Sequence, residues 1–159
     1  MAIATPGRSK EIGLYQEKVR ELYRQIGEAV RQHYPGAVVQ SAPEGTIDEE
    51  LTGPYSIEGL EIIMPDKSSI RLVPVGIYNI GARGRVDAHG PLSAEVLVWV
   101  QAGGPEIRSE LKEKEDIIDA ATRPVFPDVP EGWAWSDRDS LIPLTREIIS
   151  ERLIPELTE

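Results

Sequence analysis

The chain has 159 residues, no cysteine and a formal net charge of −10. This length favours a single domain with a sizeable core, and the missing cysteines exclude disulfides and thiolate metal sites, which fits a cytoplasmic location. The negative charge opposes nonspecific nucleic-acid binding, and we expect neither a signal peptide nor a membrane span because no apolar run is long enough.

The N-terminal part predicts a short tail and then a long amphipathic helix. Pro6 and Gly7 discourage regular structure, so residues 1–8 are expected to be a flexible tail before a single domain at residues 9–159. Ser9 can cap the helix, and Tyr34 precedes a proline that should end it. One apolar stripe follows helical spacing: Ile12, Tyr15, Val19, Leu22, Ile26, Ala29 and Val30.

The next segments predict strands separated by a long loop. Residues 37–40 indicate a short strand, and residues 42–55 are predicted to be a loop because they contain several glycines and prolines. Residues 57–64 and 70–75 should form a hairpin around the turn at residues 65–68, and in the second strand the residues at 70, 72 and 74 alternate with those at 71, 73 and 75. Pro74 lacks an N–H, so the second of these strands should be paired on one side only near its end.

The stretch from residue 68 to residue 101 is expected to supply the central strands. Short pieces at residues 77–80 and 85–88 are separated by a glycine-containing turn at residues 81–84. Val96, Val98 and Val100 lie on one face of a further strand, with Leu97 and Trp99 on the other, so this strand should be buried on both faces. The short connections favour an antiparallel meander.

The C-terminal part predicts two more helices around a last short strand. A second helix should follow Pro105, a Pro-rich segment occupies residues 123–132, and residues 132–136 can form a strand. A third helix is expected to begin near Pro143 and to end at Pro155. The order of elements predicts an α+β fold in which the N-terminal helix covers a mainly antiparallel sheet.

Two groups of residues are candidates for a binding surface. Trp133 and Trp135 fall on the same face of an extended strand, where they form either a recognition surface or the roof of the core. A second candidate is the acidic segment of residues 44–50, which contains Glu44, Asp48, Glu49 and Glu50. His33 and His89 have no carboxylate at ligand spacing, so the sequence does not indicate a zinc site.

The segment GRVDAHGPLSAEVLVWVQ, residues 84–101, resembles the Gly-x-Val-Asp, turn and apolar strand pattern of the PD-(D/E)XK nuclease-like superfamily. The resemblance implies that Asp87 and Gln101 hold Mg²⁺ or Mn²⁺, with Glu95 also in the catalytic set. Glu11 or Glu17 would match the helical acid of that family. The motif lysine is missing because its position holds Gly103. From the residues alone, Asp87 can instead cap a turn.

Two functions are therefore open. The first is a non-enzymatic protein-interaction module, such as an adaptor, an inhibitor or an immunity-type protein, which needs no cofactor and binds a protein partner. The alternative is a divergent or inactive metal-dependent nuclease domain of the PD-(D/E)XK type. The sequence favours the first because it contains no complete catalytic, metal-binding or phosphate-binding motif.

Overall fold

A computed structural model describes residues 6–50, 52–77, 84–100, 130–137 and 140–159. Helix α1, Pro6–His33, is followed by seven strands that pair in chain order, each antiparallel to the next. The strands are β1 Val38–Glu49, β2 Gly53–Ile63, β3 Ser69–Gly76, β4 Arg85–His89, β5 Ala94–Val100, β6 Gly132–Asp137 and β7 Ser140–Pro143. A last helix, α2, spans residues 146–158. The predicted α+β class and the antiparallel meander are confirmed.

Helix α1 packs its apolar stripe on one face of the sheet, as the spacing predicts. Tyr15, Val19, Leu22 and Ile26 are each at most 1% exposed. The helix begins at Pro6, earlier than the expected cap at Ser9, because proline is tolerated in a first turn whose N–H groups have no helical partner. None of the helices in the described ranges is long and apolar enough to cross a membrane.

The sheet has a core on each side. Leu97 faces α1 in the main core, whereas Val98, Val100 and Ala134 form a smaller buried cluster on the opposite face. Strand β5 is therefore apolar and buried on both faces, as predicted. The alternation of β3 is confirmed as well: Ile70, Leu72 and Pro74 are buried, and the residues between them are exposed.

The predicted loop at residues 42–55 is wrong, because most of it belongs to the long β1–β2 hairpin. The two strands pair from Val38 with Ile63 to Glu49 with Gly53. Pro43 causes no conflict because it lies at a register shift in an edge strand, where no ladder hydrogen bond is required of it. Gly53 takes a φ of 73° at the tip of the hairpin, a conformation that favours glycine.

Strand β2 pairs with β3 only between Leu60 and Ile63. Beyond Leu72, β3 is paired with β4 alone, as the proline at position 74 predicts. The far half of the β1–β2 hairpin diverges from β3 there, and a cavity of about 290 Å³ lies between them. The hairpin tip returns to the end of β3, where the Glu49 carboxylate accepts a 2.8 Å hydrogen bond from the Ile77 N–H.

Helix α2 has three consecutive parts: α-helical Arg146–Ile148, π-helical Ile149–Leu153 and α-helical Ile154–Thr158. Pro155 was expected to end the helix, and this is wrong. The wider π turn precedes the proline and relieves the clash that its ring would otherwise make with the backbone one turn earlier. Strand β7 was not predicted. The expected second helix after Pro105, the strand at residues 78–80 and the turn at residues 81–83 lie outside the described residues.

Candidate functional site

Asp87, the first candidate metal ligand, forms an ion pair on its own strand. Its two carboxylate oxygens accept hydrogen bonds from the Arg85 guanidinium, at 2.7 Å from Nε and 3.0 Å from Nη2. This contact raises the pKa of Arg85. Both oxygens of Asp87 are therefore engaged by a neighbouring cation, and the side chain is neither a turn cap nor an open ligand in this structure.

Glu95 lies on the other face of the sheet from Asp87. Asp87 is opposite Val96 in the β4–β5 pairing, and Ala88 is opposite Glu95. Because successive side chains of a strand point to opposite faces, the Asp87 and Glu95 carboxylates are separated by the sheet itself. Within the described ranges no three acidic or histidine side chains are grouped to hold a metal ion. Gln101 lies outside the described residues.

The acidic segment at residues 44–50 does not form one continuous patch. Glu44, Asp48 and Glu50 are exposed on β1 and its turn. Glu49 is instead turned inward, where its Oε1 accepts hydrogen bonds of 2.8 Å from the Tyr55 hydroxyl and from the Ile77 N–H. Glu49 thus helps to hold the hairpin tip against β3.

The two candidate tryptophans share a face of β6, and both are buried in the main core, at 5% and 3% exposure for Trp133 and Trp135. The Trp133 Nε1 donates a 2.7 Å hydrogen bond to the Lys18 carbonyl of α1. Trp135 differs because its Nε1 forms no hydrogen bond of ordinary geometry in the described part of the chain, although the indole interacts with the Glu95 carboxylate. Its ring is covered by the Arg152 guanidinium, whose carbon lies 5.6 Å from the ring centroid.

A cavity of about 620 Å³ opens beside Trp135, between the end of β6 and helix α2. We call it the acidic pocket because carboxylates dominate its lining, which consists of Trp135, Asp137, Glu151, Arg152, Pro155, Glu156 and Glu159. Trp135 and Asp137 reach it from one strand because residues two apart point to the same face. The other residues come from α2.

Glu95 does not line the pocket, but its carboxylate interacts with two of the carboxylates that do. Burial raises the pKa of Glu95, and the negative charges of Glu156 and Asp137 raise it further. The Trp135 indole offsets part of this increase although it forms no hydrogen bond of ordinary geometry. The pocket therefore holds several like charges that are only partly compensated.

The π turn places two lining residues, Glu151 and Arg152, in the pocket. Such turns are rare and occur frequently at functional sites, since they redirect side chains at a cost in regular hydrogen bonding. The turn is also fixed to the segment that follows α1, because the Ser150 carbonyl accepts a 3.0 Å hydrogen bond from the Tyr34 hydroxyl. The lining side chains therefore project from a backbone that the core holds in place.

The sequence analysis found Trp135 and Glu95 and missed the remaining residues of the acidic pocket. The signal for them was weak because Pro155 seemed to end the helix that carries Glu156 and Glu159. Comparison of the chain with models of known protein families, with curated proteins and with solved structures found no match. The site is thus interpreted from its own chemistry.

Proposed function

We propose that this protein is a non-enzymatic interaction module that binds a basic segment of a partner protein in the acidic pocket. One observation carries the proposal: among the described residues that line one cavity, four carry carboxylates and one carries a guanidinium, and a further carboxylate, Glu95, interacts with two of those four. An adaptor, an inhibitor and an immunity-type protein would all use such a surface, and they would differ in what happens to the bound partner.

The chemistry of the pocket favours a basic peptide. The carboxylates require positive charge, and among the described residues no three acidic or histidine side chains are grouped to hold a metal ion. A lysine or arginine of a partner protein supplies this charge on a long side chain that can reach the pocket from a neighbouring surface.

The proposal is tested by comparing two double variants in a capture experiment from the native host, with the retained proteins quantified by mass spectrometry. Glu151→Gln with Glu156→Gln removes two charges from the acidic pocket. Glu44→Gln with Asp48→Asn removes two charges from the exposed part of β1, the other acidic candidate. We expect a basic protein to be retained by wild type and by the β1 variant and lost by the pocket variant. Loss in the β1 variant alone would place the binding surface elsewhere.

The nuclease alternative is tested separately with purified protein. We expect DNA and RNA to remain intact in Mg²⁺ and in Mn²⁺, since the Asp87 carboxylate is bound by Arg85 and is separated by the sheet from Glu95. Asp87→Ala is the matched variant. Cleavage by wild type that disappears in Asp87→Ala would contradict the interaction module as the whole function and support the nuclease hypothesis.

A further inference from the structure

The ladder between β2 and β3 stops at a defined point in its hydrogen-bonding pattern. The Met64 N–H donates a 2.8 Å hydrogen bond to the Ser68 carbonyl, so these residues form a hydrogen-bonded pair beside the turn. In an antiparallel ladder such pairs recur at every second residue, and the last of them here joins Leu60 to Leu72. Every second residue of β2 therefore directs its N–H and C=O groups towards β3, and the residues between direct theirs towards β1.

The next pair in this alternation would join Glu58 to Pro74, and it is not formed because Pro74 has no N–H to contribute. Helix α1 supplies a donor instead, since the Tyr23 hydroxyl donates a 2.7 Å hydrogen bond to the Glu58 carbonyl. Two residues further along β2, the Gln16 Nε2 donates a 3.2 Å hydrogen bond to the Ser56 carbonyl. Side chains of α1 thus take the place of β3 along this edge, and the gap between the two strands is built into the fold.

Two backbone groups are left on the facing edges of this gap. If the Glu58 N–H donated to the Pro74 carbonyl, Gly59 and Val73 would be paired, and they are not. Neither group forms another hydrogen bond in the described part of the chain. The gap therefore presents a donor on its β2 side and an acceptor on its β3 side, and both lie along the hydrogen-bonding direction of the sheet.

A cavity of about 290 Å³ lies at the gap, and we call it the seam cavity. Strands β2 and β3 contribute Ile57, Gly59, Leu72, Val73 and Pro74 to its lining, and most of the remainder comes from β1. Among the described residues that line it, Arg71 alone is charged, and its guanidinium lies 3.5 Å from the Glu61 carboxylate. The lining therefore favours a guest that is mostly apolar and carries no net charge.

We propose that the seam cavity binds a small apolar ligand that carries one trans secondary amide. The N–H and C=O of a trans amide point in opposite directions. When the ligand lies between the two strands, its carbonyl accepts a hydrogen bond from the Glu58 N–H, and its N–H donates one to the Pro74 carbonyl. This site is separate from the acidic pocket and does not depend on the function proposed for that pocket.

The boundaries of the gap limit the length of the ligand. One end is closed by the Leu60–Leu72 pair, and the other is crossed by the hydrogen bond from the Ile77 N–H to the Glu49 carboxylate. A complete strand of a partner protein would have to break one of these connections to enter. A peptide unit of one residue, or a free amide of that size, requires no such change.

The test uses three uncharged probes, titrated into ¹⁵N-labelled full-length protein with the backbone amide resonance of Glu58 as the readout. N-butylbutanamide carries the trans amide, and butyl butanoate replaces its N–H with an oxygen atom. We expect the amide to shift the Glu58 resonance and the ester to bind roughly tenfold more weakly, because the ester leaves the Pro74 carbonyl unpaired. The third probe, N-acetyl-leucine methylamide, presents the same group as a peptide: tighter binding of this probe identifies a peptide as the source, and tighter binding of N-butylbutanamide identifies a free amide.

Two matched variants locate the bound probe. A Cβ added at Gly45 or at Gly13 has nothing within 4 Å, so both positions have space for a larger side chain. Gly45 lines the seam cavity and shares a face of the hairpin with Ile47 and Ile57, whereas Gly13 lies on α1. We expect Gly45→Leu to fill the cavity and abolish binding of N-butylbutanamide, and Gly13→Leu to bind it as wild type does.

Hydrogen exchange of the free protein tests the gap itself. The Glu58 amide should exchange faster than the Gly59 amide, which faces β1 and is paired there with Ala42. Equal protection of the two amides would mean that the ladder is closed, and no shift of Glu58 with any probe in wild type would overturn the site. Equal binding of the ester would overturn recognition by the backbone pair, and retention of the amide by Gly45→Leu would place it outside the seam cavity. The comparison of the probes requires only wild type, so it holds even if a variant fails to fold.

Discussion

The position of Glu95 in the fold differs from the one that its predicted catalytic role requires. Its place at the start of an apolar strand made it a candidate for a catalytic set with Asp87 and Gln101, but the strand alternation points it to the α1 side of the sheet. There burial raises its pKa, and so do the negative charges of Glu156 and Asp137, which come from the C-terminal part of the chain. No local spacing in the sequence connects these three residues, because only the folded sheet and α2 bring them together.

The raised pKa of Glu95 leads to a pH-dependent prediction. The ionised form of Glu95 is less favourable in the folded protein than in the unfolded chain, so ionisation lowers the free energy of unfolding. This loss is absent below the pKa of the unfolded chain, about 4.3, and becomes complete as the pH rises through the higher pKa of the folded protein. Glu95→Gln is neutral at every pH. We therefore expect it to be more stable than wild type at pH 7, with the difference closing near pH 3.5.

The measurement is the urea midpoint of both proteins at several pH values. Glu44→Gln provides the control because it removes one negative charge from an exposed position on β1. A stability difference for Glu95→Gln that stays constant from pH 7 to pH 3.5 would contradict the proposed environment of this carboxyl group.

Leu97 tests the core on the α1 side of the sheet. It is 0% exposed, and truncation of a buried leucine to alanine costs about 2–5 kcal/mol because a cavity remains. Val73→Ala is the control on the outer face of β3, where the valine is 38% exposed and the expected change is within about 0.5 kcal/mol. Equal denaturation midpoints for the two variants would show that Leu97 is not a core residue.

At the scale of elements, regular periodicity was the reliable signal. The stripe of α1 and the alternation in β3 and β5 predict these elements correctly, because each of them buries a face against the core. The β1–β2 hairpin was missed at residues 42–55 because its glycines and prolines resemble a loop. Its structure depends on pairing and on contacts with the end of β3, such as the Glu49–Ile77 hydrogen bond, that local sequence does not reveal.

The acidic pocket could not be predicted for a related reason. It requires α2 to continue past Pro155, and that depends on the π turn, for which the sequence has no simple signature. It also requires α2 to lie against the end of β6, which is a matter of tertiary packing. Sequence reasoning therefore identified the tryptophan at the edge of the pocket but not the helix that completes it.

Gly90 links the β4–β5 turn to α2 and gives a test of this packing. A Cβ at position 90 would lie 2.7 Å from the Leu157 Cβ and 2.9 Å from its carbonyl carbon, closer than such atoms can approach. Gly90→Ala should therefore push α2 away and cost about 1–3 kcal/mol, the usual range for overpacking. Urea denaturation measures this loss.

Gly13→Ala is the matched control for that substitution. Nothing lies within 4 Å of a Cβ at position 13, and alanine favours a helix over glycine by about 1 kcal/mol. The control should therefore stabilise the protein. If Gly90→Ala were also neutral or stabilising, the close contact between the turn and α2 would be incorrect.

For the whole molecule, the charge of −10 has a kinetic consequence. An acidic surface steers a basic partner mainly through the association rate, and salt screens this attraction beyond about 10 Å at 0.1 M. We expect association with a basic peptide to slow markedly between about 0.05 and 0.3 M NaCl, while the dissociation rate changes less. Stopped-flow fluorescence measures both rates, and an association rate independent of salt would contradict electrostatic steering.

The order of the strands in the sheet also has a consequence for the sequence of folding steps. Each strand pairs with the next along the chain, so the sheet can grow by successive hairpins with short loop closures. By contrast, the hydrogen bond between Tyr34, just after α1, and Ser150 of α2 joins positions 116 residues apart. We therefore expect α2 to dock last and to detach first, so that the acidic pocket exists only in a fully assembled molecule. A partner bound there would hold α2 in its docked position and would therefore stabilise the whole native fold against unfolding.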